Sequence, residues 1–140
     1  MLEYPVKLDE AADGVTLTFP DVPEAITDGR DREEALGHAV DALLTAVMIY
    51  EADRRAFPLP GKVKAGAPSV RLPITASLKV FLHNAMVEQG MRKIDLMRKT
   101  GWASPQVDRI LDPRYASKVD LIETALAATG KTVVGRMVNL

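Results

Sequence analysis

Short runs of alternating apolar and polar residues, separated by turn residues, make up the first thirty positions of the chain. Residues 2–8 form one run, and residues 15–19 form a second after a turn with Asp-Gly at residues 13–14. A period of two that is broken by such a turn predicts a β-hairpin. Prolines end the second strand because they cannot donate to a ladder, and residues 24–27 predict a short third strand.

The hydrophobic period changes at Asp31, which is placed to cap a helix. Glu33 and Glu34 would lie in the first turn, where their charges suit the positive end of the helix dipole. Apolar residues then recur at spacings of three and four, which places them on one face. They are Leu36, Ala39, Val40, Leu43, Leu44, Val47 and Met48. The pattern predicts one helix that covers one face of the sheet.

A stretch rich in proline and glycine, residues 57–68, follows this helix and predicts a loop or linker. Residues 70–72 predict a last strand, which Pro73 ends. Beyond this point the pattern is helical. We therefore predict a boundary near residue 73, between a domain of residues 1–72 and a domain of residues 73–140. The predicted fold class is α+β, with a small N-terminal β-sheet under one covering helix and an all-α C-terminal domain.

Four apolar segments with helical spacing lie between the predicted boundary and Gly130, and each ends at a glycine or at Asp-Pro. Their apolar positions are Leu78, Phe81, Leu82, Ala85 and Met86 in the first, Ile94, Leu96 and Met97 in the second, Val107, Ile110 and Leu111 in the third, and Val119, Ile122, Ala125 and Leu126 in the fourth. The tail, residues 132–140, is rich in β-branched residues and predicts a terminal strand that contributes to a dimer contact.

Two of these predicted helices are short and close together. Residues 93–100 form the first and residues 104–111 the second, with a turn that contains Gly101 between them. This spacing is typical of a helix-turn-helix, which lays its second helix in the major groove of DNA. Ser104 is a suitable N-cap and Pro105 a suitable first helical residue, so we predict that the second helix begins there.

The polar residues at the start of that second helix are the candidates for reading DNA sequence. The apolar positions must face the core, which leaves Ser104, Gln106, Asp108 and Arg109 exposed. Of these, Ser104, Gln106 and Arg109 are the candidates for base contacts. Glutamine pairs with adenine and arginine with guanine through two hydrogen bonds each, so we predict that these residues contact base edges. Five basic residues flank the unit and are predicted to neutralise phosphates. They are Arg92, Lys93, Arg98, Lys99 and Arg114.

Charge is distributed unevenly along a chain whose composition is otherwise that of an ordinary globular protein, with 47% apolar and 26% charged residues. The net charge is only −1, but residues 1–72 carry 13 acidic and 8 basic side chains. Residues 73–140 carry 6 acidic and 10 basic side chains. One half therefore repels phosphate and the other attracts it, which predicts different partners for the two halves.

Several classes of function are disfavoured. The chain has no cysteine and only two histidines, so we expect no thiolate chemistry, no metal site and no cofactor. Asp9, Asp13, Asp21 and Asp28 fall at strand ends and turns, where aspartate has a structural role, and no catalytic constellation assembles around them. We expect no enzyme activity. No apolar run approaches the roughly 20 residues of a membrane span, and the first residues are unlike a secretion signal, so the expected location is the cytoplasm.

Two segments of the chain resemble the HicB family of bacterial antitoxins. Residues 19–39 combine a strand ending in Phe-Pro-Asp, a short strand running to a threonine and glycine turn, and a helix opening with Glu-Glu-Ala. Residues 106–113 and 118–126 are similar to the Cro/repressor-type helix-turn-helix that one branch of these antitoxins carries. The chain departs from that pattern at Arg92, where a serine or threonine cap is usual, and at residues 102–103, where Trp-Ala replaces Val-Ser.

This resemblance implies a partial ribonuclease-H-like N-terminal domain that binds and neutralises HicA, a small toxin that cleaves messenger RNA. It also implies a C-terminal domain that represses the shared operon by binding double-stranded operator DNA. A two-fold arrangement would let two recognition helices reach half-sites one DNA turn apart, so we expect a homodimer.

Two other hypotheses stay open on the sequence alone. The chain could be a stand-alone transcriptional regulator whose N-terminal domain senses a small ligand. It could instead be an interaction module whose helical domain serves only dimerisation. A neighbouring toxin gene would separate the antitoxin from the ligand sensor, and operator binding that depends on Gln106 and Arg109 would exclude the interaction module.

Overall fold

The computed structural model describes residues 1–140, which form five strands and six helices in an α+β arrangement, as the hydrophobic pattern predicts. The strands are β1 (Glu3–Pro5), β2 (Lys7–Ala11), β3 (Gly14–Thr18), β4 (Ile26–Gly29) and β5 (Ser69–Arg71). The helices are α1 (Arg32–Gly37), α2 (Ala39–Ala52), α3 (Ile74–Glu88), α4 (Lys93–Thr100), α5 (Ser104–Leu111) and α6 (Val119–Ala128).

The strands belong to two separate antiparallel sheets. β2, β3 and β4 pair in chain order, which confirms the predicted hairpin. A short third strand also forms, but over Ile26–Gly29 and not over residues 24–27. β1 pairs with β5, with Tyr4 opposite Val70, which confirms the last strand. The prediction of one continuous strand over residues 2–8 is wrong. The chain divides at Val6 because β1 and β2 take different partners, β5 and β3.

The helix predicted after Asp31 is in fact two helices. Asp31 caps α1 as predicted, and its carboxylate accepts the N–H of Glu34 at 2.8 Å. The helix is interrupted after Gly37, a residue that favours helix weakly. At His38 the ring Nδ1 lies 2.9 Å from the carbonyl oxygen of Asp28 on β4, and α2 begins at the next residue. The junction between the two helices thus lies against β4.

Eighteen buried residues form a first hydrophobic core between the sheets and α1–α2. Three aromatic rings lie at one end of it, with Phe57 edge-on to Tyr4 at 6.0 Å and to Tyr50 at 5.2 Å between ring centroids. The Tyr4 hydroxyl donates to the carbonyl of Pro58 at 2.8 Å. Burying each large side chain contributes about 1.5–3 kcal/mol, so the start of the proline-rich stretch, residues 57–68, is fixed to this core.

One helical stretch, Arg32–Ala52, has the length and apolarity of a membrane span. It is interrupted at His38, and its inward residues Leu43 and Val47 are fully buried in the first core. The core helix of a soluble protein has the same composition, so this stretch is weak evidence for a membrane location.

α3 connects the two halves of the molecule. Val80 lies in the first core, whereas Leu82 lies in a second core formed with α4, α5 and α6. The ring Nε2 of His83 lies 2.7 Å from the carbonyl oxygen of Arg55, which ties α3 to the end of α2. The domain boundary near residue 73 stays a prediction, because the helix that follows it contributes to both cores.

The second core contains nine buried residues, and most of the predicted apolar faces supply it. Leu96, Ile110 and Ile122 are at most 1% exposed. Phe81 and Ile94 were predicted on the buried faces, yet both are exposed. Val119 departs in the same way. Ile94 and Val119 lie on the outer side of the short helices α4 and α6, and Phe81 lies on a side of α3 that faces neither core.

The predicted terminal strand in residues 132–140 does not form. The last backbone hydrogen bond of the chain runs from the N–H of Lys131 to the carbonyl of Leu126 at 3.1 Å. The tail has no neighbouring strand to pair with, and a strand requires one. Its apolar side chains Val134 and Met137 are almost fully exposed.

Candidate nucleic-acid interface

The α4–α5 unit is shaped by a glycine in the turn. Gly101 has a φ of 76°, in the left-handed region that favours glycine, and its N–H donates to the carbonyl of Met97 at 2.8 Å. The hydroxyl of Thr100 accepts the N–H of Trp102 at 3.2 Å, and the half-buried indole packs against the second core. α5 therefore leaves α4 at a sharp turn, as the spacing predicts.

α4 begins with an unusual cap. Arg92 stands at the N-cap position, and its N–H donates to the carboxylate of Asp95 at 2.8 Å. An arginine side chain has no acceptor, so the reciprocal half of a capping box cannot form. The guanidinium of Arg92 consequently stays at the exposed surface.

The predicted bounds of the second helix, residues 104–111, are confirmed, but the predicted cap is wrong by one residue. Ala103 is the N-cap, with extended backbone at φ −71° and ψ 156°, and Ser104 is already helical. The first helical bonds run from Gln106 and Val107 to the Ala103 carbonyl at 3.1 and 3.2 Å, so the Ser104 side chain makes no cap. Pro105 is then the second helical residue, where its missing N–H still costs nothing.

The three residues predicted to read bases lie on one short helix but differ in exposure. Val107 and Ile110 face the core as predicted, and Arg109 is exposed. Its guanidinium carbon lies 5.9 Å from the centre of the Tyr115 ring. Ser104 and Gln106 are half-buried at the start of the helix. Of the three predicted base-reading residues, Arg109 is therefore the most accessible.

The five predicted phosphate contacts fall into two groups. Arg92 and Arg98 are exposed, and Lys99 makes only a long hydrogen bond to a carbonyl of α6. Lys93 and Arg114 already have acidic partners. Lys93 pairs with Asp108 of α5 at 2.6 Å, and Arg114 bonds to Asp41 and to the Thr45 hydroxyl on α2. Arg114 thus ties the end of α5 to the N-terminal half.

Comparison with known proteins identifies the family. A family model described as "HicB_like antitoxin of bacterial toxin-antitoxin system" matches residues 3–81. The chain is 38% identical over 130 residues to Antitoxin HicB 1 of Photorhabdus laumondii, covering 92% of this chain and 83% of that protein. It is 37% identical over 135 residues to Antitoxin HicB of Pseudomonas fluorescens, covering 96% and 92%. It is 34% identical over 131 residues to Antitoxin HicB of Escherichia coli K12, covering 93% and 95%.

The chain belongs to the HicB-like antitoxin family. This confirms the resemblance drawn from residues 19–39. HicB-like antitoxins are regulatory proteins and not enzymes, in agreement with the sequence expectation. The family model ends inside α3, so the assignment of α4–α6 to a helix-turn-helix stays a prediction.

A buried lysine in this HicB-like chain was not predicted as a functional residue. Lys79 of α3 is 2% exposed, and its ammonium donates to the carbonyls of Arg109, Asp112 and Tyr115 at 2.9, 2.7 and 2.7 Å. Its position in the sequence indicates that it could be buried, because it is a single basic residue between the apolar residues of α3. The sequence alone does not reveal which hydrogen-bond acceptors compensate the cost of burying its charge.

Lys79 belongs to a cluster of charges where α2 meets the end of α5. Burial lowers the pKa of Lys79, and the charges of Asp112 and Glu51 oppose that change. Burial raises the pKa of Glu51 from its ordinary value of 4.5 to about 7, and Asp112 adds to the effect while Lys79 opposes it. Glu51 of the N-terminal half therefore lies close enough to Lys79 and to the end of α5 for their charges to influence one another.

Proposed function

We propose that this HicB-like antitoxin neutralises a HicA-like toxin by direct binding through residues 1–72 and represses its own operon by binding operator DNA through residues 73–140. It acts in the cytoplasm as a homodimer or higher homo-oligomer. The observation that carries the DNA half of the proposal is the α4–α5 unit, in which Arg109 of α5 is exposed, as are Arg92 at the start of α4 and Arg98 in its last turn.

The base-reading residues in this proposal are Ser104, Gln106 and Arg109. Arg109 is exposed, so it can reach a guanine edge in the major groove without breaking a hydrogen bond of its side chain. Gln106 and Ser104 lie one turn earlier, at the end of the helix that enters the groove in proteins of this kind.

The phosphate contacts in this proposal are Arg92, Lys93, Arg98 and Lys99, with Arg114 as a weaker candidate. Arg92 and Arg98 are free to bind phosphate as they stand. Lys93 would have to exchange Asp108 for phosphate, and Arg114 would have to leave Asp41 on α2. Each phosphate neutralised steepens the dependence of affinity on salt, which gives these contacts a measurable signature.

Operator retention tests the DNA half. The probe is the duplex immediately upstream of the gene for this chain, and the variants are Gln106→Ala and Arg109→Ala. Each should weaken binding by about 1–3 kcal/mol, since each removes a contact to a base. Arg71→Ala is the matched control, because it removes an exposed arginine from β5 and should leave retention unchanged. Retention unaffected by either α5 variant would contradict base reading by α5.

The toxin half is supported by family membership and by apolar side chains left exposed on the N-terminal half. Leu36, Met48 and Ile49 of α1 and α2 are partly exposed, and exposed apolar side chains of this kind occur at protein interfaces. Co-expression with the gene immediately upstream should give a complex that co-purifies with the full chain. An upstream product that remains separate from this chain would contradict the toxin half.

A homodimer is proposed because operator half-sites are read by two-fold related helices. The exposed tail and the exposed residues Ile74 and Phe81 of α3 line one groove, which makes that side of the C-terminal half the candidate contact. Sedimentation of the full chain should give a dimer, and a chain that ends at Lys131 should sediment largely as a monomer. A truncated chain that stays dimeric would exclude the tail from the contact.

A further inference from the structure

The end of α5 lacks one of its own backbone donors. In a continuing helix the carbonyl of Arg109 would accept the N–H four residues later, but that residue is Pro113, which has none. The carbonyl of Arg109 accepts from Lys79 at 2.9 Å instead, and the Ser117 hydroxyl approaches it only at 3.4 Å. Lys79 therefore supplies the donor that the proline removes.

The three protons of the Lys79 ammonium match the three carbonyls that it meets. Besides Arg109, they belong to Asp112 and Tyr115, both at 2.7 Å, so the ammonium spans the end of α5 and the turn that follows. A cation at this point also suits the negative end of the helix dipole. At 2% exposure, water cannot replace these bonds, and the backbone from residue 109 to residue 115 is held against α3.

The backbone and the side chain of Arg109 are in different environments. Its carbonyl is fixed to Lys79, while its side chain is exposed and lies beside the Tyr115 ring, whose own backbone Lys79 also holds. Lys79 belongs to α3, which packs into both cores. It therefore fixes the backbone of Arg109 relative to the centre of the molecule.

We propose that Lys79 is a positioning residue for operator reading, which fixes the backbone of Arg109 and the end of α5 so that the Arg109 side chain meets base edges in register. This inference rests on the proposed DNA-binding function. Lys79 itself is buried and does not touch DNA. Its removal therefore affects the discrimination between DNA sequences more than the general attraction to phosphate.

The experiment compares the affinities of the full chain for two duplexes of equal length and composition. One is the segment immediately upstream of the gene, and the other is the same segment with its bases shuffled. The variants are Lys79→Met and, as matched control, Lys118→Met, which removes one exposed lysine from the same half. A loss of folded protein lowers both affinities in parallel, whereas a displaced α5 lowers their ratio.

Lys79→Met should lower the ratio of upstream to shuffled affinity by about 5- to 150-fold, the value of one lost base contact. Lys118→Met should leave the ratio unchanged. Lys79→Arg keeps charged donors and should restore part of the discrimination. An unchanged ratio in Lys79→Met, or a parallel loss of both affinities, overturns the proposal. If circular dichroism shows that Lys79→Met does not fold, Lys79→Gln, which keeps two donors, takes its place. The same ratio of upstream to shuffled affinity then decides.

Amide hydrogen exchange without DNA tests the positioning itself. Lys79→Met should accelerate exchange in residues 110–115 and leave α4 unchanged, and unaltered exchange in that segment overturns the proposal. A wild-type chain that binds both duplexes equally contradicts operator reading, and with it the role of Lys79 in that reading. Exchange in residues 110–115 then still shows whether Lys79 holds the end of α5, so the two failures are distinguishable.

Discussion

Substitution of Glu51 by glutamine should remove a loss of folding stability that the wild type shows as the pH rises. Glu51 lies in the last turn of α2 and lines a cleft of about 600 Å³ between α2 and the helical half. Its carboxyl makes no hydrogen bond, and burial, together with the charge of Asp112, raises its pKa to about 7. Glutamine has nearly the same shape and carries no charge at any pH.

The sign of the effect follows from the two pKa values. In the unfolded chain Glu51 ionises near its ordinary value of 4.5, whereas in the folded chain it stays protonated up to about 7. Ionisation therefore favours the unfolded state within this window. The free energy of unfolding falls as the pH rises from 4.5 to about 7 and then levels off. Below pH 4.5 both states are protonated and the contribution vanishes.

The magnitude is limited by solvent. The full difference between pH 4.5 and about 7 corresponds to about 3 kcal/mol, at 1.36 kcal/mol for each pH unit. Glu51 is only half-buried and faces an open cleft, so water screens part of this, and we expect about 1–2 kcal/mol at pH 8. The free energy of unfolding of Glu51→Gln should exceed that of the wild type by this amount at pH 8, and the two should be equal near pH 4.5.

The assay is urea unfolding followed by circular dichroism at a series of values between about pH 4.5 and 8.5. The difference between wild type and Glu51→Gln isolates this residue from the other titrating groups. Glu123→Gln serves as the control, because Glu123 is exposed on α6 and has no ion-pair partner. A constant difference across the pH series, or a wild type that gains stability relative to Glu51→Gln above pH 7, would show that folding does not raise the pKa of Glu51.

Three further substitutions test the local structure of the N-terminal half by urea unfolding. Asp31→Ala removes the acceptor for the Glu34 N–H and should lower the free energy of unfolding by about 1 kcal/mol. An unchanged free energy would show that this cap does not stabilise the fold. Gly29→Ala would place a methyl against the backbone N of Ala35, so the variant should lose several kcal/mol or fail to fold; near-wild-type stability would contradict this close approach. Gly37→Ala is the matched control, since it meets open space inside α1 and should stabilise the chain by about 0.5–1 kcal/mol.

The elements of the fold were predictable wherever short-range chemistry decides the structure. The turn before Gly14 joins two alternating runs, Asp31 caps a helix, and Gly101 ends one in the left-handed region. Each of these signals depends only on neighbouring residues, so it can be read directly from the sequence. The buried faces of α5 and α6 followed from helical spacing in the same way.

The features that the sequence could not supply depend on residues far apart in the chain. β1 separates from β2 because β5, more than sixty residues later, pairs with it. The contact between His38, at the junction of α1 and α2, and β4 joins residues ten positions apart. At the candidate interface, the burial of Lys79 and the engagement of Arg114 with Asp41 require the packing of α3 and α2 against the end of α5. Ser104 shows that a good capping residue is not used when its neighbour Ala103 already adopts the cap conformation.

The antitoxin role is tested by the growth of cells that express the product of the gene immediately upstream, with and without this chain. Growth should stop with the neighbour alone and return when the full chain is co-expressed. The double variant Gln106→Ala with Arg109→Ala should restore growth equally well while failing to repress a reporter driven by the upstream DNA. A neighbour that is harmless by itself, or one whose toxicity this chain does not relieve, would exclude the antitoxin role proposed for this chain.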